Sequence, residues 1–209
     1  MVLIQQSATI ESTETETEIL KAIEEAGRTC YKSEDKITKD SAAAFFRNML
    51  KSGHHSVIEH GVIRVRFITN RGVTHELVRH RLASYSQEST RYCNYGGKDI
   101  KFIKPTWWGT SDRGQQTAFM AALEYAELYY NNLLDLGWKP QQAREVLPNA
   151  LKTEIVVTAN IREWYHIFNL RCSNAAHPQI KWLMLDLLIL FRERYPIMFG
   201  PFNTLLGGK

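Results

Sequence analysis

Residues 61–69 read GVIRVRFIT, and their alternation has a period of two. Ile63, Val65 and Phe67 fall on one side of an extended chain, Val62, Arg64 and Arg66 on the other. A helix would scatter these side chains around its axis, so the stretch predicts a strand with one apolar face and one charged face. Such a strand needs partners and something to cover its apolar face. VLIQQSATI at 2–10 predicts a first strand and LKTEIVVTA at 151–159 another.

The covering elements read as helices. TEILKAIEEAGRTCY at 17–31 spaces Ile19, Leu20, Ile23 and Ala26 for one face. SAAAFFRNML at 41–50 predicts a second helix closed by Gly53, a residue suited to a C-terminal cap. RGVTHELVRHR at 71–81 predicts a short helix on which Arg71, His75 and Arg79 recur every four residues. The longest helix is expected over about residues 113–136, with Phe119, Leu123, Ala126, Tyr130 and Leu133 as its apolar stripe, Gly137 closing it and Pro140 opening PQQAREVL. NIREWYHIFNLR at 160–171 begins with Asn160 and Glu163 at capping-box spacing, and a final helix follows Pro178 and stops near Pro196. Strands and helices do not alternate strictly. The expected class is α+β, a mixed α/β chain whose largely antiparallel central sheet is flanked by helices.

At 209 residues this reads as one domain, and 44% hydrophobic residues supply a core. A net charge of +4 is small for a chain built to grip nucleic acid. Cys30, Cys93 and Cys172 are scattered and odd in number, which points to reduced thiols and a cytoplasmic setting. The opening MVLIQQSATIESTETE has no basic region followed by a long apolar run, so no signal peptide is expected. IKWLMLDLLILF at 180–191 is shorter than the ~20 residues a bilayer requires, carries Lys181 and Asp186, and reads as a buried helix.

Histidines 54, 55, 60, 75 and 80 raise the question of a metal. HELVRH resembles a zinc-protease motif with one residue too many. On a helix, a spacing of five turns His75 and His80 about 140° apart, so they cannot share an ion from one face. No CxxC pair is present, and no metal is expected. Neither Ser84 nor Ser89 sits in a GxSxG turn, and no cysteine has a clear activating neighbour, although Cys172 follows Arg171. The donor-rich stretch RHRLASYSQESTR at 79–91 suits an anion better, since arginine presents a planar fork that matches phosphate. If 84–91 is extended, Tyr85, Gln87, Ser89 and Arg91 share one face, opposite Ser84, Ser86, Glu88 and Thr90. A solvated turn remains the plain alternative.

The same stretch resembles the signature of the flavin-dependent thymidylate synthases, RHRxxSxxxxSxR, at Arg79, His80, Arg81, Ser84, Ser89 and Arg91. At residue frequencies of about one in twenty, these matches would coincide on the order of once in 10⁷–10⁸ starts. GRTCYKS (27–33), GHHSVIEH (53–60), AREVLP (143–148), TANIREW (158–164) and FNLR (168–171) resemble further family segments in family order. The resemblance implies a homotetramer that methylates dUMP to dTMP, with FAD as cofactor, 5,10-methylenetetrahydrofolate as one-carbon donor and NADPH as reductant. His54, Ser56, Glu59, Arg79, His80, Arg81, Asn160, Ile161, Arg162 and His166 would lie on the flavin side. Glu76, Leu77, Val78, Arg79, Gln87, Glu88, Ser89, Thr90, Arg91, Arg144 and Arg171 would lie on the dUMP side. Arg171 is the implied catalytic group, favouring the uracil ionised at N3 so that electron density reaches C5. No enzyme cysteine need attack the ring.

Glu76 stands where some members of the family have Gln and Gln87 where some have Glu, and CSNAAHPQIKW after Arg171 departs from the family's usual Arg-Ala-Gln-Trp run, which leaves His177 unassigned. Two other readings compete. A nucleic-acid module would stack bases on Trp107 and Trp108 and lose affinity with salt. A flavin binder without turnover would keep the pocket and lose the chemistry. The resemblance implies neither nucleic-acid nor membrane partners.

Overall fold

The computed structural model describes residues 1–200. Its elements are, in order, β1 (Val2–Ile4), β2 (Ser7–Ile10), α1 (Glu16–Thr29), α2 (Ser41–Lys51), β3 (Val62–Asn70), α3 (Arg71–Leu77), β4 (Ala83–Gln87), β5 (Lys101–Ile103), α4 (Arg113–Asp135), α5 (Pro140–Ala143), β6 (Lys152–Asn160), α6 (Ile161–Arg171), α7 (Pro178–Arg194) and α8 (Pro196–Phe199). A four-stranded antiparallel sheet runs in the order β2-β3-β6-β4, and a separate pair joins β1 to β5 in parallel. The fold is thus the mixed α/β one expected, with two corrections. VLIQQSATI makes two strands in two sheets, because the chain leaves β1 at Gln5 and Gln6 before β2 begins. Residues 101–103 supply a strand that periodicity did not reveal.

The chain divides into two compact units. Unit 1 holds Met1–Ser7, Phe67–Arg79 and Tyr85–Val156; unit 2 holds Ala8–Arg66, His80–Ser84 and residues 157–200. The chain enters each of them more than once, so no single linker marks a boundary.

In unit 1 the core gathers Ile100, Phe102, Leu123, Tyr130, Ala143 and Leu151. From the predicted stripe of α4, Leu123 and Tyr130 are buried, and Phe119 and Leu133 pack partly covered against them. Asp112 and Gln115 cap α4 reciprocally. At its other end Gly137 has φ of +94°, with Gly137 N–H donating to Leu134 and Trp138 N–H to Leu133, the double closure of a Schellman motif.

In unit 2, α1 opens on a Thr15–Glu18 capping box and buries Ile19, Leu20 and Ile23 as expected. It also buries Glu24, which Arg28 (2.6 Å) and Ser41 (2.7 Å) satisfy. A buried carboxylate is tolerated only with such partners. Trp164 is fully buried and its indole N–H donates to the Ile63 carbonyl at 3.1 Å. Around it Phe168, Phe191, Tyr195 and Phe199 meet edge-on or tilted, with ring centres 4.8–6.0 Å apart in contacts such as Trp164–Phe191 and Phe168–Phe199. That geometry suits the aromatic quadrupole. Glu16 accepts from the backbone of Ile197 and Met198, satisfying the exposed N–H groups that start α8.

Two glycines are required for different reasons. Gly53 follows α2 with φ of +71°, and its N–H and that of His54 close the helix on Leu50 and Met49. Gly27 faces α2 closely enough that a Cβ would lie 2.6 Å from both Phe45 and Val57. Gly53→Ala, which has open space but a left-handed backbone, should therefore lower unfolding free energy by about 1 kcal/mol. Gly27→Ala should cost more, about 1–3 kcal/mol, through overpacking. Urea unfolding of both variants checks the ranking, and a Gly27→Ala variant as stable as wild type would contradict the packing account.

Candidate functional site

Unit 2 carries the residues assigned by resemblance to the flavin, apart from Arg79. A cavity of about 490 Å³ opens among Gly27, Tyr31, Phe45, Met49, His54, Ser56 and Arg162, with Cys30 also on its wall. Its lining mixes rings and a thioether with a hydroxyl, an imidazole and a guanidinium. Its volume falls in the range of small-molecule sites. The Schellman turn at Gly53 delivers His54 to this wall, and the tight packing at Gly27 shapes its floor. Arg162 also donates from Nη1 to Glu59 Oε1 at 2.6 Å, an exposed pair worth little in stability but able to fix the guanidinium. Arg81 is exposed.

Helix α6 arranges the rest. Asn160 is its N-cap and accepts from Glu163 N–H at 2.8 Å. The expected capping box is only half present, because Glu163 is buried and turns its carboxylate to His80, 3.6 Å from Nδ1. Ile161 is fully buried, and its N–H donates to the Gly61 carbonyl. His166 is exposed on α6 and meets the His80 ring edge-on, centres 5.4 Å apart. Arg171, the last residue of α6, donates from Nε to His80 Nε2 at 3.0 Å.

His80 is 3% exposed. Burial, then the Arg171 guanidinium, then His166 hold its pKa down to about 4, so the ring is a neutral acceptor at physiological pH. Burial pushes the Glu163 carboxyl the other way, above its ordinary value. His80, Glu163 and His166 bring ligand atoms within 4.8 Å, the one such group among the described residues. Sequence spacing does not show this convergence, because His80 lies more than eighty residues from Glu163 and His166. A cation there would sit beside the guanidinium already bound to His80, and like charges oppose that. Cys172, the last cysteine candidate, has a thiol that burial raises to about 12, so the nucleophilic thiolate is scarce.

Unit 1 carries the residues assigned to dUMP, apart from Arg171. Helix α3 ends at Leu77 instead of continuing to 81, so Arg79 lies beyond it, in an exposed segment, and does not repeat with Arg71 and His75. The Leu77 carbonyl, orphaned by the helix end, accepts from Tyr85 Oη at 2.8 Å. Leu77 is buried, Val78 exposed and Glu76 partly exposed.

The stretch after β4 also differs from a single extended face. The alternation holds only through Gln87; at Ser89 the chain turns, with Tyr92 and Cys93 N–H donating to its carbonyl. Gln87 points inward and donates to Thr74 (3.0 Å) and Thr153 (3.2 Å). Glu88 accepts from Tyr95 at 2.9 Å and from Lys152 at 3.0 Å, so its side chain braces unit 1. The turn leaves Arg91 exposed, its guanidinium 5.5 Å from the Tyr92 ring centre, while Ser89 Oγ accepts from Arg91 N–H. Arg144 donates from Nη1 to the buried Thr90 hydroxyl at 3.0 Å and pairs with Glu145. Thr74, Thr153 and Tyr95 thus support the group without having been singled out from sequence; only the polarity of threonines on otherwise apolar faces hinted at them. Trp108, one of the two proposed stacking platforms, is packed edge-on against Phe119.

The family model described as thymidylate synthase complementing protein, Thy1, matches residues 12–197. A flavin-dependent thymidylate synthase of Geobacter sulfurreducens is 35% identical over 190 residues, covering 86% of this chain and 82% of that protein. One from Mycobacterium tuberculosis is 36% identical over 202 residues, covering 87% and 79%. Among solved structures, a UMP/dUMP methylase, PolB of Streptomyces cacaoi bound with 5-Br dUMP, matches with a TM-score of 0.79. It covers 98% of this chain and 97% of its own at 23% identity, a likeness of fold. With a family model spanning nearly all of its described length, the chain belongs to the thymidylate synthase complementing protein family.

Proposed function

We propose that the protein is an FAD-dependent thymidylate synthase that methylates dUMP at C5, with 5,10-methylenetetrahydrofolate as carbon donor and NADPH as reductant. The observation that carries this reading is Arg171, a guanidinium held at the end of α6 by a buried, uncharged imidazole. An arginine so presented is a fixed positive charge, and the reaction needs one beside uracil N3. Lowering the N3 pKa stabilises the ionised ring and raises electron density at C5.

The residues of the unit 2 cavity fit a flavin nucleotide. Tyr31, Phe45 and Met49 offer apolar and polarizable surface to a ring system, while Ser56, His54 and Arg162 offer hydrogen bonds to polar edges and phosphates. When bound, FAD would supply the hydride and methylene-transfer chemistry that no side chain here can perform. The protein's part is to bind, orient and polarise. Arg144 and Arg91 are the guanidinium groups suited to the dUMP phosphate, with Thr90 orienting the former. The raised thiol of Cys172 agrees with a route that uses no cysteine nucleophile.

The same reading makes the chain one catalytic domain over 1–209, the last nine residues lying outside the described ones. It also makes the enzyme a cytoplasmic homotetramer whose sites draw on more than one subunit. No helix among the described residues is long and apolar enough to cross a membrane.

Purified protein should be yellow, retain FAD, and form dTMP when supplied with dUMP, the folate and NADPH. Absence of both flavin binding and dTMP formation would overturn the assignment. Arg171→Ala should lower kcat by at least about 100-fold, the scale of losing one preorganised charge-stabilising donor, while keeping its flavin absorbance. Arg144→Ala should instead raise KM for dUMP by about tenfold or more, as loss of a charged hydrogen bond does, with a smaller change in kcat. Steady-state kinetics separate the two outcomes.

A further inference from the structure

We infer that Glu163 is a positioning residue for the reaction, acting through His80 to hold the Arg171 guanidinium in its working orientation. This rests on the reading of Arg171 as the group that activates uracil. Three observations meet in unit 2. Arg171 Nε donates to His80 Nε2 at 3.0 Å, Glu163 Oε1 lies 3.6 Å from His80 Nδ1, and His80 and Glu163 are both buried.

The hydrogen bond assigns the tautomer. An imidazole nitrogen that accepts from Nε–H carries no proton, so the proton of neutral His80 sits on Nδ1. That N–H then faces the Glu163 carboxylate. At 3.6 Å the contact is electrostatic in range, longer than a formed hydrogen bond. A negative or acceptor oxygen on that side favours Nδ1–H over Nε2–H, as carboxylates behind metal-bound and catalytic histidines do. With the opposite tautomer, His80 would aim N–H at the Arg171 N–H and the bond would be lost.

The consequence reaches the guanidinium because Nε lies on its stem side. Fixing Nε–H fixes the plane in which the two terminal nitrogens lie. Glu163, Ile167 and Arg171 are spaced by four along α6, so acid and arginine share one stripe. Helical side chains lean toward the N-terminus, which brings Arg171 back toward the histidine. Among the described residues, Glu163, His166 and Arg171 are charged or titratable groups that face His80. Arg171 and His166 both resist a second proton on its ring, which keeps the imidazole neutral beside the Glu163 carboxyl. Helix-capping logic had assigned Glu163 to Asn160, and this role is a different one.

The test uses the FAD-loaded full chain and the variants Glu163→Leu, Glu163→Gln and Arg171→Ala. Glu163→Leu is expected to lower kcat about tenfold, the lower end of what such supporting partners contribute, with KM for dUMP changed less than twofold. Glu163→Gln, which keeps an acceptor oxygen, is expected to recover most of that loss. Independently of activity, ¹⁵N spectra of the imidazoles should show wild-type His80 neutral and protonated at Nδ1 from pH 8 down to about 5, well below where an ordinary histidine gains its second proton. The same spectra of Glu163→Leu should show a mixture of tautomers. A wild-type kcat in Glu163→Leu, or His80 protonated at Nε2 in wild type, overturns the proposal. Failure of the underlying reading looks different: wild type forms no dTMP, or Arg171→Ala turns over at the wild-type rate.

Discussion

A single buried hydrogen bond, from the Trp164 indole to the Ile63 carbonyl, sets the rotation of α6 on the strand it covers. An indole N–H out of water must find an acceptor, and this one finds the backbone of the strand whose alternation is the strongest signal in the sequence. With Trp164 turned in, Ile161, Ile167 and Phe168 follow it into the core, while Arg162 and His166 are turned out. Arg171, seven residues beyond Trp164, falls nearly in line with the buried face at the helix end. That rotation sets which side of α6 each of its polar groups leaves from, and their own hydrogen bonds then fix them. The aromatic rings beneath it, Phe168, Phe191 and Phe199, make slippage costly because they interlock edge to face.

Much of this was legible in advance. The period-two stretch at 61–69 announced β3, LKTEIVVTA was read as the strand that forms β6, and Gly53 and Gly137 marked helix ends that the structure closes with paired backbone bonds. What escaped was set by partners far away in sequence. Residues 101–103 are too few to show a period, and their pairing with Val2–Ile4 is a contact across about half the chain. Helix α3 stops where Tyr85 can satisfy the Leu77 carbonyl, a tertiary event that periodicity does not encode. The faces assigned to residues 84–91 hold only through Gln87, for a similar reason. The chain turns at Ser89, and Gln87 is drawn inward by Thr74 and Thr153.

The site residues divide along the same line. Family resemblance named the ligand-side groups, and the structure separates them into braces and presenters. Leu77, Ile161, Gln87 and Glu88 have side chains committed to core or internal hydrogen bonds. Arg79, Arg81, Arg91 and His54 are presented at the surface of their units. Glu88 shows why resemblance alone does not sort them, since the Tyr95–Glu88–Lys152 chain is invisible until the fold places those side chains together.

The identity of the group behind Arg171 is itself an argument about electrostatics. A carboxylate hydrogen-bonded to that guanidinium would orient it more tightly, because charge-assisted bonds are the stronger ones. It would also cancel much of the positive charge that, on the proposed reading, must act on uracil N3. A protonated histidine would repel the arginine and offer no acceptor. A neutral imidazole orients without neutralising, and burial keeps it neutral. Placing the Glu163 carboxylate on the far nitrogen of His80 retains its directing effect at one remove. The interposed ring keeps the opposite charge farther from Arg171, so more of the guanidinium's field reaches the substrate side.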